Sequence, residues 1–259
     1  MYIGFDVAKG YDYCAEKIKS AGFSHTFLNW EKSGDICLEQ VKICERVGLE
    51  IETAHATFNN INSMWLEGSD GEDLTKHFIK NVREAKEYGV PVLIVHLSSS
   101  FTPPPFNELG LSRYRRICEE AEKYGISIAF ENLRRVDYLD YIMKNIDSPA
   151  KRFCFDCGHE FIYNEGKGVL EKYAPLLSAF HLHDNFGSND DHILPFDGKI
   201  NWETLARRIS HVFTENKDID IPITLEVMKN DTAPDFAEKA YERACKIESL
   251  IESSRPNFF

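Results

Sequence analysis

Regular alternation between helical patterns and short apolar runs is the feature of this sequence that most restricts its fold. Four predicted helices end on a glycine that an apolar run follows at once: Ala21-Gly22-Phe23, Val47-Gly48-Leu49, Tyr88-Gly89-Val90 and Tyr124-Gly125-Ile126. Glycine adopts the left-handed conformation that ends a helix without the steric cost of a side chain. Each of these positions is therefore a predicted junction between a helix and the next strand.

The same alternation continues along the chain. Apolar residues recur at three-residue spacing at Leu38, Val41, Cys44 and Val47, which gives this predicted helix one buried face. The predicted helices cover residues 11–21, 36–47, 72–88, 111–124, 138–145, 168–173, 202–214 and 235–252. The predicted strands are short apolar runs at residues 3–6, 25–28, 50–55, 92–96, 127–131, 152–156, 177–181 and 222–226.

These eight strand-then-helix units predict the overall architecture. Short apolar strands are typical of parallel sheets that are covered on both faces. Eight such units in 259 residues, with no linker or low-complexity run between them, favour a single-domain α/β (β/α)8 TIM barrel over residues 1–259. A doubly wound open sheet also explains the alternation, but it does not gather the ends of six strands around one point.

Six of the predicted strands end on residues that can bind a divalent metal. They are His55, His96, Glu131, Asp156, His181 and Glu226, and three further candidates, His159, Asp190 and His192, lie in the loops that follow. Buried imidazoles and carboxylates cost free energy unless they are paired or bind a metal. The pattern therefore predicts a metalloenzyme with zinc, manganese or cobalt at one end of a barrel. The number of candidates allows one to three ions.

Side-chain alternation within the strands supports the barrel. Successive residues of a strand face opposite sides. If Glu131, Asp156 and His181 point inward, then Ala129, Cys154 and Ala179 do so too, and these strands place Phe130, Phe155 and Phe180 outside. Small residues then fill the narrow interior, and large ones meet the helices.

Charge and composition limit the partners and the location. The net charge of −12 disfavours sequence-independent nucleic-acid binding, which needs a basic surface. No signal peptide or membrane-spanning stretch is apparent, so we expect a cytoplasmic protein without a membrane partner. The seven cysteines are odd in number and scattered, and they do not suggest a disulfide framework. Cys154 and Cys157 form a C-x-x-C, but no second pair completes a zinc site.

The motifs at the strand ends resemble those of the xylose-isomerase-like TIM-barrel superfamily. This group contains sugar and sugar-phosphate isomerases and epimerases, inosose dehydratases and endonuclease IV. The motifs are Val95-His96, Phe130-Glu131-Asn132, Phe155-Asp156-x-x-His159, His181-Leu182-His183-Asp184-Asn185, Asp190-x-His192-x-x-Pro195-x-x-Gly198-x-Ile200-x-Trp202 and Leu225-Glu226. Their order along the chain is specific for the superfamily and much less specific for one reaction.

The resemblance implies roles for the candidate residues. In the isomerase and epimerase members the core metal would be held by Glu131, Asp156, His181 and Glu226. The two glutamates would also be the acid/base pair, and His159 would contact the substrate. In the endonuclease-IV-like alternative, further zinc ions would be held by two sets, His55 and His96 with Glu131, and His159 with Asp190 and His192.

Other residues are candidates for substrate binding. His183 and Asn185 extend the His181 motif and are expected to orient ligands and to hydrogen-bond the substrate. Trp65 lies in a long loop and is expected to wall the pocket. Arg134 and Lys229 follow the two metal-binding glutamates and could bind a phosphate or a sugar oxygen, although a solvated loop charge is an equally good explanation.

Two positions depart from the ketose 3-epimerase members of the superfamily. Those members carry an arginine where this chain has Gly187, and a glutamate where it has Asp137. The preferred prediction is therefore a broader one. It is a divalent-metal-dependent isomerase or epimerase of a sugar, sugar phosphate or polyol, which transfers a proton through a metal-stabilised enediolate. The alternatives are a zinc-dependent phosphoester hydrolase resembling endonuclease IV and an inosose-type dehydratase. Such barrels are often dimers or tetramers, so a homo-oligomer is compatible with this prediction.

Overall fold

A sheet of six parallel strands is the centre of the fold. The computed structural model describes residues 1–30, 34–228 and 233–255. The strands are hydrogen-bonded in chain order, β1-β2-β3-β4-β5-β6, and all neighbours are parallel. They are β1 His25–Trp30, β2 Glu50–Ala56, β3 Val92–Val95, β4 Ser127–Glu131, β5 Lys151–Asp156 and β6 Leu177–His181. All six carboxyl ends therefore lie at the same edge.

Helices connect the strands and cover the outside of the sheet. They are α1 Tyr11–Ala21, α2 Gly34–Val47, α3 Ser69–Tyr88, α4 Glu108–Tyr124, α5 Val136–Asn145, α6 Cys157–Tyr163, α7 Val169–Tyr173, α8 Trp202–Glu215 and α9 Phe236–Ser253. Each predicted helix is present within a few residues. The predicted glycine ends are also present, since Gly89 and Gly125 follow α3 and α4 with φ of 72° and 67°. None of the helices in the described ranges is long and apolar enough to cross a bilayer.

The first and last predicted strands, residues 3–6 and 222–226, differ from the expectation. Tyr2 and Leu225 form only isolated parallel bridges, Tyr2 with Phe27 and Leu225 with Leu182. The nitrogen of Tyr2 also donates to the carbonyl of Leu225 at 3.1 Å. Residues 3–6 form a turn directly after Tyr2, and Pro222 lacks the N–H that a longer ladder requires. Within the described ranges the fold is thus TIM-barrel-like with six parallel strands, and the predicted eight-stranded barrel is not confirmed.

The two faces of the sheet carry different clusters of buried side chains. Ile94, Ala129, Cys154 and Ala179 form a small cluster of their own. Phe130, Phe155 and Phe180 belong to the large cluster that packs with the helices. The predicted alternation of small inner and large outer residues is therefore observed for β4, β5 and β6. The small cluster lies directly beneath the polar strand ends.

Candidate metal centre

Four acidic and imidazole side chains converge at the carboxyl edge of the sheet. Glu131, Asp156 and His181 are the last residues of β4, β5 and β6. Glu226 joins them because its backbone nitrogen donates to the carbonyl of Leu182 at 3.0 Å, immediately beyond β6. One potential ligand atom from each of the four lies within 4.8 Å of the others, and all four residues are buried. The sequence motifs at these positions are therefore brought together in space.

Glu131 is central to the cluster. Its Oε2 lies 3.0 Å from Nε2 of His96 and 3.5 Å from Nε2 of His55. The same oxygen lies 3.6 Å from Nδ1 of His181, and Oε1 lies 3.1 Å from Nδ1 of His159. One carboxylate thus faces four imidazoles, so it can share a ligand position between adjacent ions.

His181 gives the clearest test of whether these residues fit a metal ion. Its side chain is fully buried, and neither ring nitrogen has a hydrogen-bond partner. Nδ1 lies 3.1 Å from Oε2 of Glu226, but out of line for a hydrogen bond. Buried polar atoms are nearly always satisfied, so an orphaned nitrogen facing two carboxylates needs an explanation. A divalent cation held by imidazole and carboxylate ligands satisfies it, and the four residues fit such an ion.

The two carboxylate oxygens of Asp156 contact different partners. Its Oδ1 accepts a hydrogen bond from the backbone nitrogen of His159 at 2.6 Å and so caps α6. Its Oδ2 remains directed at Nε2 of His183, 3.3 Å away. The sequence placed His159 in a loop, whereas the structure places it in this short helix. The cap explains the difference, because Asp156 satisfies an N–H that the first turn leaves without a partner.

His55 and His96 form a second group with Glu131, with potential ligand atoms within 4.8 Å of one another. Nδ1 of His55 lies 2.8 Å from the carbonyl oxygen of Ala56. A carbonyl only accepts, so Nδ1 carries the proton and Nε2 presents its lone pair to the site. Phe58 covers the pair and stacks on His96 at 5.0 Å between ring centroids. The sequence did not single out Phe58; its only signal was its place in the apolar loop after β2.

Asp190 and His192 approach the cluster from the loop between β6 and α8. Oδ2 of Asp190 lies 3.0 Å from Nε2 of His159 and 3.4 Å from Nε2 of His192. The compact three-residue group is, however, His183, Asp190 and His192. The ring centroids of His183 and His192 are 4.0 Å apart, and the rings stack. His183, which was predicted to orient ligands and to hydrogen-bond the substrate, is thus itself part of a potential metal-binding group. His192 has a positive φ of 48°, and its Nδ1 donates to the carbonyl of Glu226 at 2.9 Å.

Asp184 holds this loop in place. Its carboxylate is fully buried and accepts four hydrogen bonds. The donors are the backbone nitrogens of Asn185 (2.9 Å), Phe196 (3.0 Å) and Ile200 (3.1 Å) and the indole nitrogen of Trp202 (2.7 Å).

The loop also approaches this carboxylate very closely. A Cβ on Gly198 would lie 2.3 Å from Oδ1 of Asp184, which only glycine avoids. These contacts account physically for the Asp184, Gly198, Ile200 and Trp202 positions of the motif.

Of the four other predicted substrate-binding residues, the structure places three in different environments. Asn185 is buried, and its side chain accepts from the backbone nitrogen of Gly187 at 2.9 Å. Trp65 does not wall the pocket. It is buried against Tyr114 and Tyr138, and its indole nitrogen donates to the carbonyl of Leu97. Its large apolar surface is the physical reason for this burial.

The two predicted basic residues also differ. Arg134 is half-buried, and its guanidinium packs on the rings of Phe101 and Tyr163. Lys229 lies outside the described residues.

The charges of the cluster compensate one another. Burial opposes ionisation of Glu131, yet His96 and His181 hold the pKa of its carboxyl well below the usual range. Burial also opposes the charged form of Glu226, but His181 lowers its pKa to about 2. The pKa of His181 is raised well above its usual value, because Cys154, Glu226 and Glu131 outweigh the effect of burial. A divalent cation would replace these imidazole protons as the balancing charge.

Sequence comparison identifies the class of protein. The chain belongs to the xylose isomerase-like TIM barrel family, whose model matches residues 10–245. Among curated relatives, an uncharacterised protein of Sinorhizobium fredii (strain NBRC 101917 / NGR234), y4fM, is 23% identical over 95% of this chain and 91% of its own length.

Solved structures agree on the fold. A D-tagatose 3-epimerase-like protein has a TM-score of 0.74 and 23% identity, over 92% of this chain and 93% of that chain. A xylose isomerase-like TIM barrel protein from Mycobacterium smegmatis, in complex with magnesium, has a TM-score of 0.67 and 15% identity, over 98% of this chain and 92% of that chain. At these identities the likeness establishes the fold alone.

Proposed function

We propose that the protein is a divalent-metal-dependent isomerase or epimerase of a sugar, sugar phosphate or polyol, with residues 1–259 acting as one domain. The observation that carries the proposal is the pairing of two carboxylates, Glu131 and Glu226, around a buried histidine with two unsatisfied nitrogens. The similar structures are consistent with it, since one is a D-tagatose 3-epimerase-like protein and another is in complex with magnesium.

The bound ion and the protein residues would have separate tasks. Glu131, Asp156, His181 and Glu226 would hold the ion, which supplies Lewis-acid polarisation of the substrate carbonyl when bound. Glu131 and Glu226 begin ionised, because the pKa of each carboxyl is lowered. One of them would remove the proton from the carbon next to the carbonyl and so become the acid that can return it to the adjacent carbon in an isomerisation. In an epimerisation the other glutamate, once protonated by a substrate hydroxyl or by solvent, would deliver a proton to the opposite face. His159, which contacts Glu131 and Asp190, would orient the substrate hydroxyl groups.

The proposal is broader than ketose 3-epimerisation for a structural reason. Asp137, which stands where the 3-epimerase pattern has a glutamate, binds Arg135 through both of its oxygens, at 3.0 and 2.6 Å. This carboxylate is therefore engaged at the start of α5. Gly187 offers no side chain at the position of the pattern's arginine. Both positions favour a substrate other than that of the ketose 3-epimerases, or proton transfer at a carbon other than C3.

Solvent isotope exchange tests the proposal directly. The full-length, metal-loaded protein is incubated in D2O with a panel of ketoses, aldoses, their phosphates and inososes, and NMR follows deuterium at the carbon next to the carbonyl. We expect exchange with at least one member, and loss of exchange in Glu226→Gln at saturating metal. The matched control is Glu203→Gln, an exposed glutamate in the first turn of α8. If no member exchanges in the wild-type protein, the proposal fails.

A phosphoester hydrolase is the second candidate, because a specific observation favours it. His55 and His96 with Glu131, and His183 with Asp190 and His192, are two further groups whose potential ligand atoms lie within 4.8 Å. Two or three ions could bind there, and a hydroxide held between ions is a hydrolytic nucleophile. Metal content per chain, measured by mass spectrometry, separates the candidates. About one ion favours the isomerase, and two or three zinc ions favour the hydrolase. A dehydratase would show exchange together with loss of water from the substrate.

A further inference from the structure

Arg134 differs from nearly every other arginine of the chain. The sequence contains twelve arginines, and ten of them hydrogen-bond a carboxylate, a carbonyl or a hydroxyl group through their guanidinium. Within the described ranges the exceptions are Arg134 and Arg255, and Arg255 lies beside the undescribed end of the chain. The neighbouring Arg135 shows the contrast, since it binds both oxygens of Asp137. In a chain of net charge −12, an arginine without an acid partner is informative.

Aromatic rings hold the Arg134 guanidinium. Its central carbon lies 5.0 Å from the ring centroid of Tyr163 and 5.7 Å from that of Phe101. The two rings contact each other edge to face at 5.7 Å. Such cation–π contacts orient a guanidinium but do not accept its N–H groups through oxygen. The donors of Arg134 are therefore positioned and still available.

The backbone that carries Arg134 is fixed as well. Asn132 makes two hydrogen bonds with the backbone of Asp156, both at 2.8 Å. Asn164, which directly follows α6, donates to the carbonyl of Leu133 at 3.2 Å. Both asparagines are fully buried. The turn after β4 is thus tied to the end of β5 and to α6, so Arg134 is part of a built structure and not a loose loop residue.

Arg134 also lies near the candidate centre. It follows Glu131 by three residues, which limits the distance between their Cα atoms to about 10 Å. The ring of Tyr163 lies 5.9 Å from the ring of His159, whose Nδ1 is 3.1 Å from Oε1 of Glu131. One aromatic ring therefore separates the guanidinium from a side chain in contact with the cluster. A sugar held at the cluster could present its far end to Arg134.

We propose that Arg134 binds an oxyanion on the substrate, either a phosphate ester or a carboxylate, at the end remote from the carbon that exchanges its proton. The inference rests on the proposed function of the same site and narrows its substrate to an acidic sugar or a sugar phosphate. The planar guanidinium fork matches these groups, because it can donate two parallel hydrogen bonds to two oxygens. Phe101 and Tyr163 preorganise this fork before the substrate arrives.

Paired probes test the inference by binding alone. Equilibrium dialysis against the metal-loaded, full-length protein compares D-ribulose with D-ribulose 5-phosphate, and D-fructose with D-fructuronate. We expect one charged member to bind at least about tenfold more tightly than its neutral partner, which is the effect of a charge-assisted hydrogen bond. The pair that shows the preference identifies the oxyanion as phosphate or carboxylate. Arg134→Gln should abolish the preference without weakening the neutral sugar, and Arg134→Lys should keep part of it.

Arg135→Gln is the matched control, because the adjacent arginine is already paired with Asp137 and should not affect the preference. Equal affinity for both members of each pair in the wild-type protein would overturn the inference. Retention of the full preference in Arg134→Gln would overturn it too. Deuterium exchange separates this result from the proposed function. Exchange without a charge preference overturns the oxyanion site alone, and a preference that depends on Arg134 without any exchange overturns the isomerase alone.

Discussion

His181 and Asp184 lie three residues apart, and both side chains are fully buried, but their surroundings are opposite. Asp184 accepts four hydrogen bonds, three from backbone nitrogens and one from Trp202. His181 has no hydrogen-bond partner on either ring nitrogen and faces two carboxylates instead. Burial of a polar group is therefore not by itself a sign of function. A buried group whose hydrogen bonds are all satisfied supports the architecture, whereas a buried group with unsatisfied polar atoms is available for a ligand.

The largest loss of activity should come from a substitution in the cluster around the unsatisfied His181. Glu226→Gln removes a carboxylate that faces His181 and that we propose as both an ion ligand and one member of the acid/base pair. We expect deuterium exchange into substrate to fall by on the order of 10²- to 10⁴-fold, the contribution of a positioned acid or base. The urea midpoint should change little, and metal content should persist at saturating metal. Undiminished exchange would remove Glu226 from the proposed acid/base pair.

Metal removal should have the next largest effect. An ion whose free concentration is 100 to 1,000 times its dissociation constant stabilises the folded state by roughly 3–4 kcal/mol. We therefore expect a chelator to lower the free energy of unfolding by about this amount, measured by urea denaturation with and without added metal. In His181→Gln, which loses an imidazole ligand, the chelator should have a much smaller effect. An equal chelator effect in both proteins would show that the stabilising ion lies elsewhere.

Asp184→Asn should mainly affect stability. The amide keeps one acceptor oxygen but turns an NH2 group toward N–H donors that the carboxylate now satisfies. We expect the free energy of unfolding to fall by about 2–3 kcal/mol, the cost of disrupting charged hydrogen bonds in a buried site. Asp197→Asn, an exposed carboxylate that contacts Arg243 at 3.3 Å, is the matched control and should change it by less than about 0.5 kcal/mol. Equal losses in the two variants would contradict the structural role of Asp184.

The strand ends could be predicted from the sequence because two local signals coincide there. Short apolar runs that alternate small and large residues, as in Ala129-Phe130-Glu131, specify both the strand and the face of its last residue. The glycines that follow the first four helices, Gly22, Gly48, Gly89 and Gly125, mark those junctions in the same local way. Six of the nine candidate ligands were predicted because they end strands and three because they lie in the loops that follow, and the structure brings them to one edge of the sheet or to the loops above it.

Other features depend on contacts that no local pattern encodes. The helix α6 has seven residues with Gly158 inside, so only the cap from Asp156 reveals its start. Trp65 was predicted to be a pocket wall because aromatic residues in loops often are, but it is buried against α4 and α5. The hydrogen bonds of Asp184 span up to 18 residues, and the cation–π contacts of Arg134 join three separate loops and helices. Only the folded chain brings these partners together.

The smallest effect isolates one hydrogen bond of the saturated carboxylate. Trp202→Phe removes the indole donor to Asp184, 2.7 Å away, and also leaves a small cavity beside Phe196. A double-mutant cycle with Asp184→Asn separates these contributions, because the cavity affects both backgrounds equally. We expect a coupling free energy of about 1 kcal/mol, measured from urea unfolding of the four proteins. A coupling near zero would mean that the three backbone donors alone hold the loop. Asp190 and His192 would then be positioned without Trp202.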